Sequence, residues 1–162
     1  AVTVTPGTTA TAQLTADNST TTCRGSAVTL RANTGPGLTY QWLRNGQVLT
    51  GATSSTYLAG QAGDYTVQVA NGCLPVTSSV VSVALRDPQA PAITVNGLVL
   101  TSNAPAGNQW YRNGIQIPGA TLATYTVSET GRYSVQGNVN GCGEVLSEEV
   151  FISILATEAP GD

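Results

Sequence analysis

The stretches QWLRNGQVLTGATSSTY (residues 41–57) and QWYRNGIQIPGATLATY (residues 109–125) lie 68 positions apart. The correspondence continues from AGDYTVQV (62–69) onto TGRYSVQG (130–137). One inserted residue later it reaches NGC (71–73) and NGC (140–142). Trp, Arg-Asn-Gly, Gly-Ala-Thr, Tyr, Gly-x-Tyr and Asn-Gly-Cys keep their order, which identifies an internal duplication. A period of about 70 residues is too long for a solenoid repeat and suits one compact β unit.

Each copy reads as strands. SAVTLRA (26–32) alternates Val28 and Leu30 with Thr29 and Arg31, the period of two of a half-buried strand. LTYQWL (38–43) places Leu38, Tyr40 and Trp42 on one face, and DYTVQV (64–69) does the same with Tyr65, Val67 and Val69. RNGQ (44–47) carries Asn-Gly, whose residues tolerate the positive φ of a type I′ hairpin turn. SSVVSVAL (78–85) closes the first copy, and AITVNGLVLTS (92–102) opens the second with a hairpin expected around Asn96-Gly97. RDPQAP (86–91) holds two prolines that remove ladder donors, as a short stiff linker does.

Composition narrows the function. Of 162 residues only 9% are charged, the net charge is −3, and the chain has no His. All six basic residues are Arg. A basic patch for nucleic acid or anionic lipid has little to be built from, and the apolar runs are strand-sized, far short of a membrane span. Without His or Lys, no Ser-His-Asp set, Cys-His pair, lysine Schiff base or His-rich metal site can be assembled. Glu144, Glu148 and Glu149 are the one carboxylate group, and neighbours on an expected strand face opposite sides. Asp87 alone supplies too few oxygens for a calcium ion. No cofactor, metal or catalytic residue is therefore expected.

Aromatic rings are few: two Trp, six Tyr and one Phe. Trp42, Trp110, Tyr65, Tyr133, Tyr57, Tyr125 and Phe151 fall at expected core or corner positions, and Tyr40 shares the face of Trp42. Only Tyr111 falls on the outer face; it, Arg112 and nearby loops are the candidate ligand contacts. A sugar-binding face normally offers several exposed rings.

Trp42 and Trp110, with AGDYTV (62–67) and TGRYSV (130–135), resemble the core tryptophan and the tyrosine corner of immunoglobulin-like β-sandwiches. The resemblance covers both copies and implies an all-β chain of two tandem sandwiches, each of about seven short antiparallel strands. Its expected divisions are 1–86, a linker at 87–91, 92–155, and a trailing tail at 156–162, with residues 1–5 either the tail of a preceding repeat or a first strand. Val67 and Val135 stand where the family's second core cysteine usually is, so the usual inter-sheet disulfide is absent. CRGSAVTL (23–30) and NGC (71–73) resemble instead the variant repeated in large bacterial surface proteins exported by the type IX route. That resemblance implies a Cys23–Cys73 disulfide, a bridge of about 4 kcal/mol on the chain-entropy model that needs an oxidising compartment. Cys142 is then left as a free thiol.

The functional expectation is a non-catalytic extracellular repeat of a longer exported protein. It would serve as adhesion segment or stalk, with neighbouring domains, a surface protein or a glycan as partners, and no nucleic acid or membrane insertion. The alternative is a carbohydrate-binding accessory module of a secreted hydrolase.

Overall fold

The computed structural model describes residues 8–155. The chain divides into two compact units at the Arg86–Asp87 boundary, each with its own core.

In unit 1 the strands are β1 (Leu14–Ala16), β2 (Thr21–Cys23), β3 (Val28–Ala32), β4 (Thr39–Arg44), β5 (Gln47–Val48), β6 (Thr56–Ala59), β7 (Gly63–Ala70), β8 (Val76–Thr77) and β9 (Val81–Arg86). One sheet has the order β1-β3-β6; the other runs β2-β9-β7-β4-β5, with β8 also on β7. The sheets are antiparallel except for β2, which lies parallel to β9 with Thr21 opposite Ala84 and Cys23 opposite Arg86. In unit 2 the strands are β10 (Ile93–Asn96), β11 (Val99–Ser102), β12 (Ala106–Arg112), β13 (Ile115–Gln116), β14 (Thr124–Thr126), β15 (Gly131–Asn138), β16 (Val145–Leu146) and β17 (Val150–Ile152). The sheets are β10-β11-β14 and β13-β12-β15-β16, with β17 also on β15. Both units are immunoglobulin-like β-sandwiches, with the buried Trp on the strand that pairs with the tyrosine-corner strand.

Each core is organised by three rings drawn from both sheets. Trp42 of β4 and Tyr65 of β7 belong to one sheet, and Tyr57 of β6, from the other, reaches between them. The centroid distances are 5.8 Å for Trp42–Tyr57 and 5.8 Å for Tyr57–Tyr65. Unit 2 repeats the column with Trp110–Tyr125 at 6.0 Å and Tyr125–Tyr133 at 5.8 Å. Both indoles are fully buried, so their N–H groups must find acceptors: Trp42 Nε1 donates to Ser54 O at 2.8 Å and Trp110 Nε1 to Leu122 O at 2.9 Å. The corner tyrosines donate to backbone four residues upstream, Tyr65 to Gln61 O at 2.8 Å and Tyr133 to Glu129 O at 2.6 Å.

Polar side chains complete what short strands leave open. Asn45-Gly46 and Asn113-Gly114 hold positive φ, 50° and 75° in the first pair and 50° and 76° in the second, the dihedral signature of the type I′ turn. The asparagine carbonyls then accept the N–H of Asp64 and of Arg132, each at 2.9 Å. That contact leaves no room above the glycine before the corner: a Cβ on Gly63 would sit 2.9 Å from Arg44 Cγ, and one on Gly131 2.8 Å from Arg112 Cγ. Gln41 and Gln109, the residues before the tryptophans, each donate to three carbonyls around the hairpin that follows.

Three sequence expectations change. SSVVSVAL is not one strand: the chain kinks at Ser78, whose buried hydroxyl accepts Val67 N at 3.0 Å and donates to Ser79 O. Ser147 repeats the device with Val135 N and Glu148 O. The opening hairpin of unit 2 has Asn96 paired with Val99, so its loop is Gly97-Leu98 with Gly97 at φ 59°, a II′ turn displaced by one residue. Pro91, read as linker, is buried; its Cγ would lie 3.0 Å from a Cβ placed on Gly137.

Trp110→Ala should cost about 3–5 kcal/mol, a large share of a small domain's stability. Amide exchange should lose protection across 93–152 while 28–86 stays protected. Burial, followed by the neighbouring Tyr57 or Tyr125, raises the pKa of Tyr65 and Tyr133 above the ordinary tyrosine value. The folded chain therefore holds these protons after the unfolded chain has released them. Stability should be complete below about pH 10 and fall as pH rises through the folded values, a slope that denaturant titration should find flattened in Tyr65→Phe/Tyr133→Phe.

Candidate functional site

The outer face of the larger unit 2 sheet is where the second copy departs most from the first. Strand alternation turns Trp110 inward and Tyr111 outward, and Tyr111 stands where unit 1 has Leu43. The Tyr111 hydroxyl donates to Gln136 Oε1 at 2.9 Å, and Gln136 Nε2 donates to Glu144 Oε2 at 2.8 Å. Glu144, in the turn before β16, lies against the stretch of β12 where the register shifts between Ala106 and Gln109. Gly107 has φ 71°, and a Cβ on it would lie 2.8 Å from Glu144 Oε1. Ring, amide and carboxylate form one connected polar strip with Tyr111 half-buried. Beside it, Gln116 Nε2 donates to Gln109 Oε1 at 3.1 Å.

Arg112 does not join this strip. As the next residue of β12 it turns to the other side, pairs with Glu129, and lines a cavity of about 250 Å³ with Ile115, Ile117, Pro118 and Tyr125. The two residues expected to share a ligand thus belong to different surfaces.

The carboxylates are separated as well. Glu144 is held by Gln136, whereas Glu148 and Glu149 follow the Ser147 kink and precede β17. Among the described residues no group of three or more His, Cys, Asp or Glu could hold a metal ion. Phe151, expected inside, is 61% exposed. Its partner across the ladder is Arg132, whose guanidinium carbon lies 5.8 Å from the ring centroid. The Ser147 kink resets the strand so that Val150 and Ile152, not Phe151, pack on the core.

The expected Cys23–Cys73 pairing is not formed. Cys73 is an exposed free thiol, whereas Cys23 and Cys142 are both disulfide-bonded. Strand register within unit 1 gives the reason. Cys23 ends β2 opposite Arg86, and β9 runs antiparallel to β7 with Val83 opposite Gly63 and Val81 opposite Tyr65, so Arg86 lies beyond the Gly63 end. Cys73 lies beyond the Ala70 end. At about 3.3 Å per residue the two cysteines sit roughly 30 Å apart along the strand direction, whereas a disulfide needs Cα atoms within about 7 Å. Cys142, expected as a free thiol, is half-buried in the turn after β15, where its N–H donates to Asn140 Oδ1 at 3.2 Å.

Comparison with known proteins finds likeness of fold alone, and only at a distance. No family model matches the chain, and no curated protein matches it. Solved structures similar to it include the Sidekick-1 immunoglobulin domains 1-5, at 18% identity over 88% of this chain and 37% of that one, with a TM-score of 0.38. Domains A168-A170 from titin match at 14% identity over 87% of this chain and 64% of that one, with a TM-score of 0.47. A titin I-band fragment matches at 11% identity over 84% and 64%, with a TM-score of 0.41. The chain spans less than two thirds of each of these structures, and the fold assignment rests on the strand order and ring columns described above.

Titration of the native protein with a thiol reagent should find one reactive thiol per chain. Alkylation followed by peptide mapping should place the label on Cys73 and leave Cys23 and Cys142 protected; a label on Cys142 would restore the pairing expected from sequence.

Proposed function

We propose that this chain is a non-catalytic repeat segment of an exported bacterial surface protein, acting as an adhesion segment or spacer between neighbouring domains. The observation that carries this reading is what the duplication duplicates. The ring columns, the indole and phenol hydrogen bonds, the asparagine turns, the glutamine clamps and the serine kinks occur twice, and every one of them holds backbone or core. A module selected for repetition is expected to keep these parts and vary its outer faces. Disulfide-bonded cysteines support an oxidising, extracytoplasmic location.

A second reading is favoured by the Tyr111–Gln136–Glu144 strip: a carbohydrate-contacting face on unit 2. A half-buried ring flanked by an amide and a carboxylate is the chemistry that stacks on a sugar and bonds its hydroxyls. The two readings separate on a glycan array. The spacer reading expects no glycan bound at tens of micromolar protein. Binding that falls at least tenfold in Tyr111→Ala, with unit 2 still folded, would put the sugar reading in its place.

A further inference from the structure

The duplicated edge strand is covered by a strand in one unit and, among the described residues, by none in the other. In unit 1 the 11 residues between β1 and β3 (17–27) leave the first sheet and lay β2 along the outer edge of β9. There Ala84 N donates to Thr20 O at 2.9 Å and Arg24 N to Arg86 O at 2.8 Å. In unit 2 the same connection is the two-residue loop Gly97-Leu98, and β10 runs straight into β11. Among the described residues, no strand pairs with the outer edge of β17.

The backbone of that edge is set to pair. Ile154 N donates to Thr130 Oγ1 at 2.9 Å on the β15 side, so the alternating amides of Phe151, Ser153 and Leu155 face away. Ser153 holds the register of Ala84, whose amide is bonded in unit 1. Phe151 and Leu155, on this edge, are 61% and 87% exposed.

The geometry points to a second copy of this chain as the occupant, with β17 of each copy pairing antiparallel across a two-fold axis at Phe151. Such an interface is self-complementary. Phe151 faces Phe151 of the second copy on the outer face, a cross-strand aromatic pair. Arg132 lies over each ring from the far side, giving a row of cation, ring, ring and cation. Two steps along, Glu149 meets Ser153 of the second copy, so no carboxylate faces another. A strand pair this short buries well under the roughly 1,200–2,000 Å² of a stable interface. The dimer is accordingly weak, with a dissociation constant in the high micromolar range.

Sedimentation equilibrium of the Cys73→Ser chain, which excludes thiol-linked dimers, tests this between 10 μM and 1 mM. A reversible monomer–dimer equilibrium is expected, with the amide exchange of Phe151 and Ser153 slowing as concentration rises. Ser153→Pro removes an outward N–H and should raise the dissociation constant at least tenfold. Phe151→Glu, at an exposed side chain that leaves the core untouched, should do the same. A chain that stays monomeric at 1 mM overturns the proposal. So does a dimer that survives both substitutions, and so does growth into open assemblies larger than a dimer.

Discussion

Everything in this fold depends on a tyrosine from one sheet inserting between a tryptophan and a tyrosine from the other. The tryptophan and corner tyrosine of each unit are its largest fully buried side chains, and aromatic rings carry a large share of the apolar area a small core can bury. A three-ring column that draws on β4, β6 and β7 fixes the spacing of the sheets and the register of the strands that carry it. Its two kinds of polar handle then dictate local backbone. An indole N–H at zero exposure needs the carbonyl of Ser54 or Leu122, and a buried phenol needs the carbonyl of Gln61 or Glu129. The loops that supply these carbonyls cannot drift without leaving a buried donor unpaired.

Small sandwiches carry a second constraint. Strands of two to eight residues leave many backbone groups at their ends, and buried ones must be paired. Here that work falls to glutamine, asparagine and serine side chains. Ser78 and Ser147 take the ladder bonds of Val67 and Val135 at the point where the last strand kinks. Without the hydroxyl each amide would be a buried donor without a partner, costing about 1–3 kcal/mol. The letters that recur at a spacing of about 70 are therefore the letters that close the hydrogen-bond inventory of the fold, and the letters that differ are free to serve something else. Tyr111 for Leu43, Glu144 in the turn after β15, and a β17 edge that no described strand covers, in place of the covered β9, are where the copies have parted.

The sequence determined the sheet architecture, the two cores and the main turns, because period, ring volume and positive φ are local properties. Val28 and Leu30 alternate inward, Trp42 and Trp110 must be buried, and Asn45-Gly46 must turn. The glutamine clamp and the serine kink were also present in the repeat, as the Gln before each Trp and the Ser after each Val-Thr or Val-Leu pair. They pass unnoticed in sequence because polar residues in a strand read as solvent-facing. Only the tertiary structure decided the cysteines, the edge and the outer face. Cys23 and Cys73 match a pairing pattern in order along the chain, yet the antiparallel course of β7 and β9 carries them to opposite ends of unit 1. Phe151 alternates correctly for a core position until the Ser147 kink shifts the strand by a residue and turns the ring outward. Distance between ends and the phase of a strand after a bulge are set by how strands register against one another, and no window of sequence contains that information.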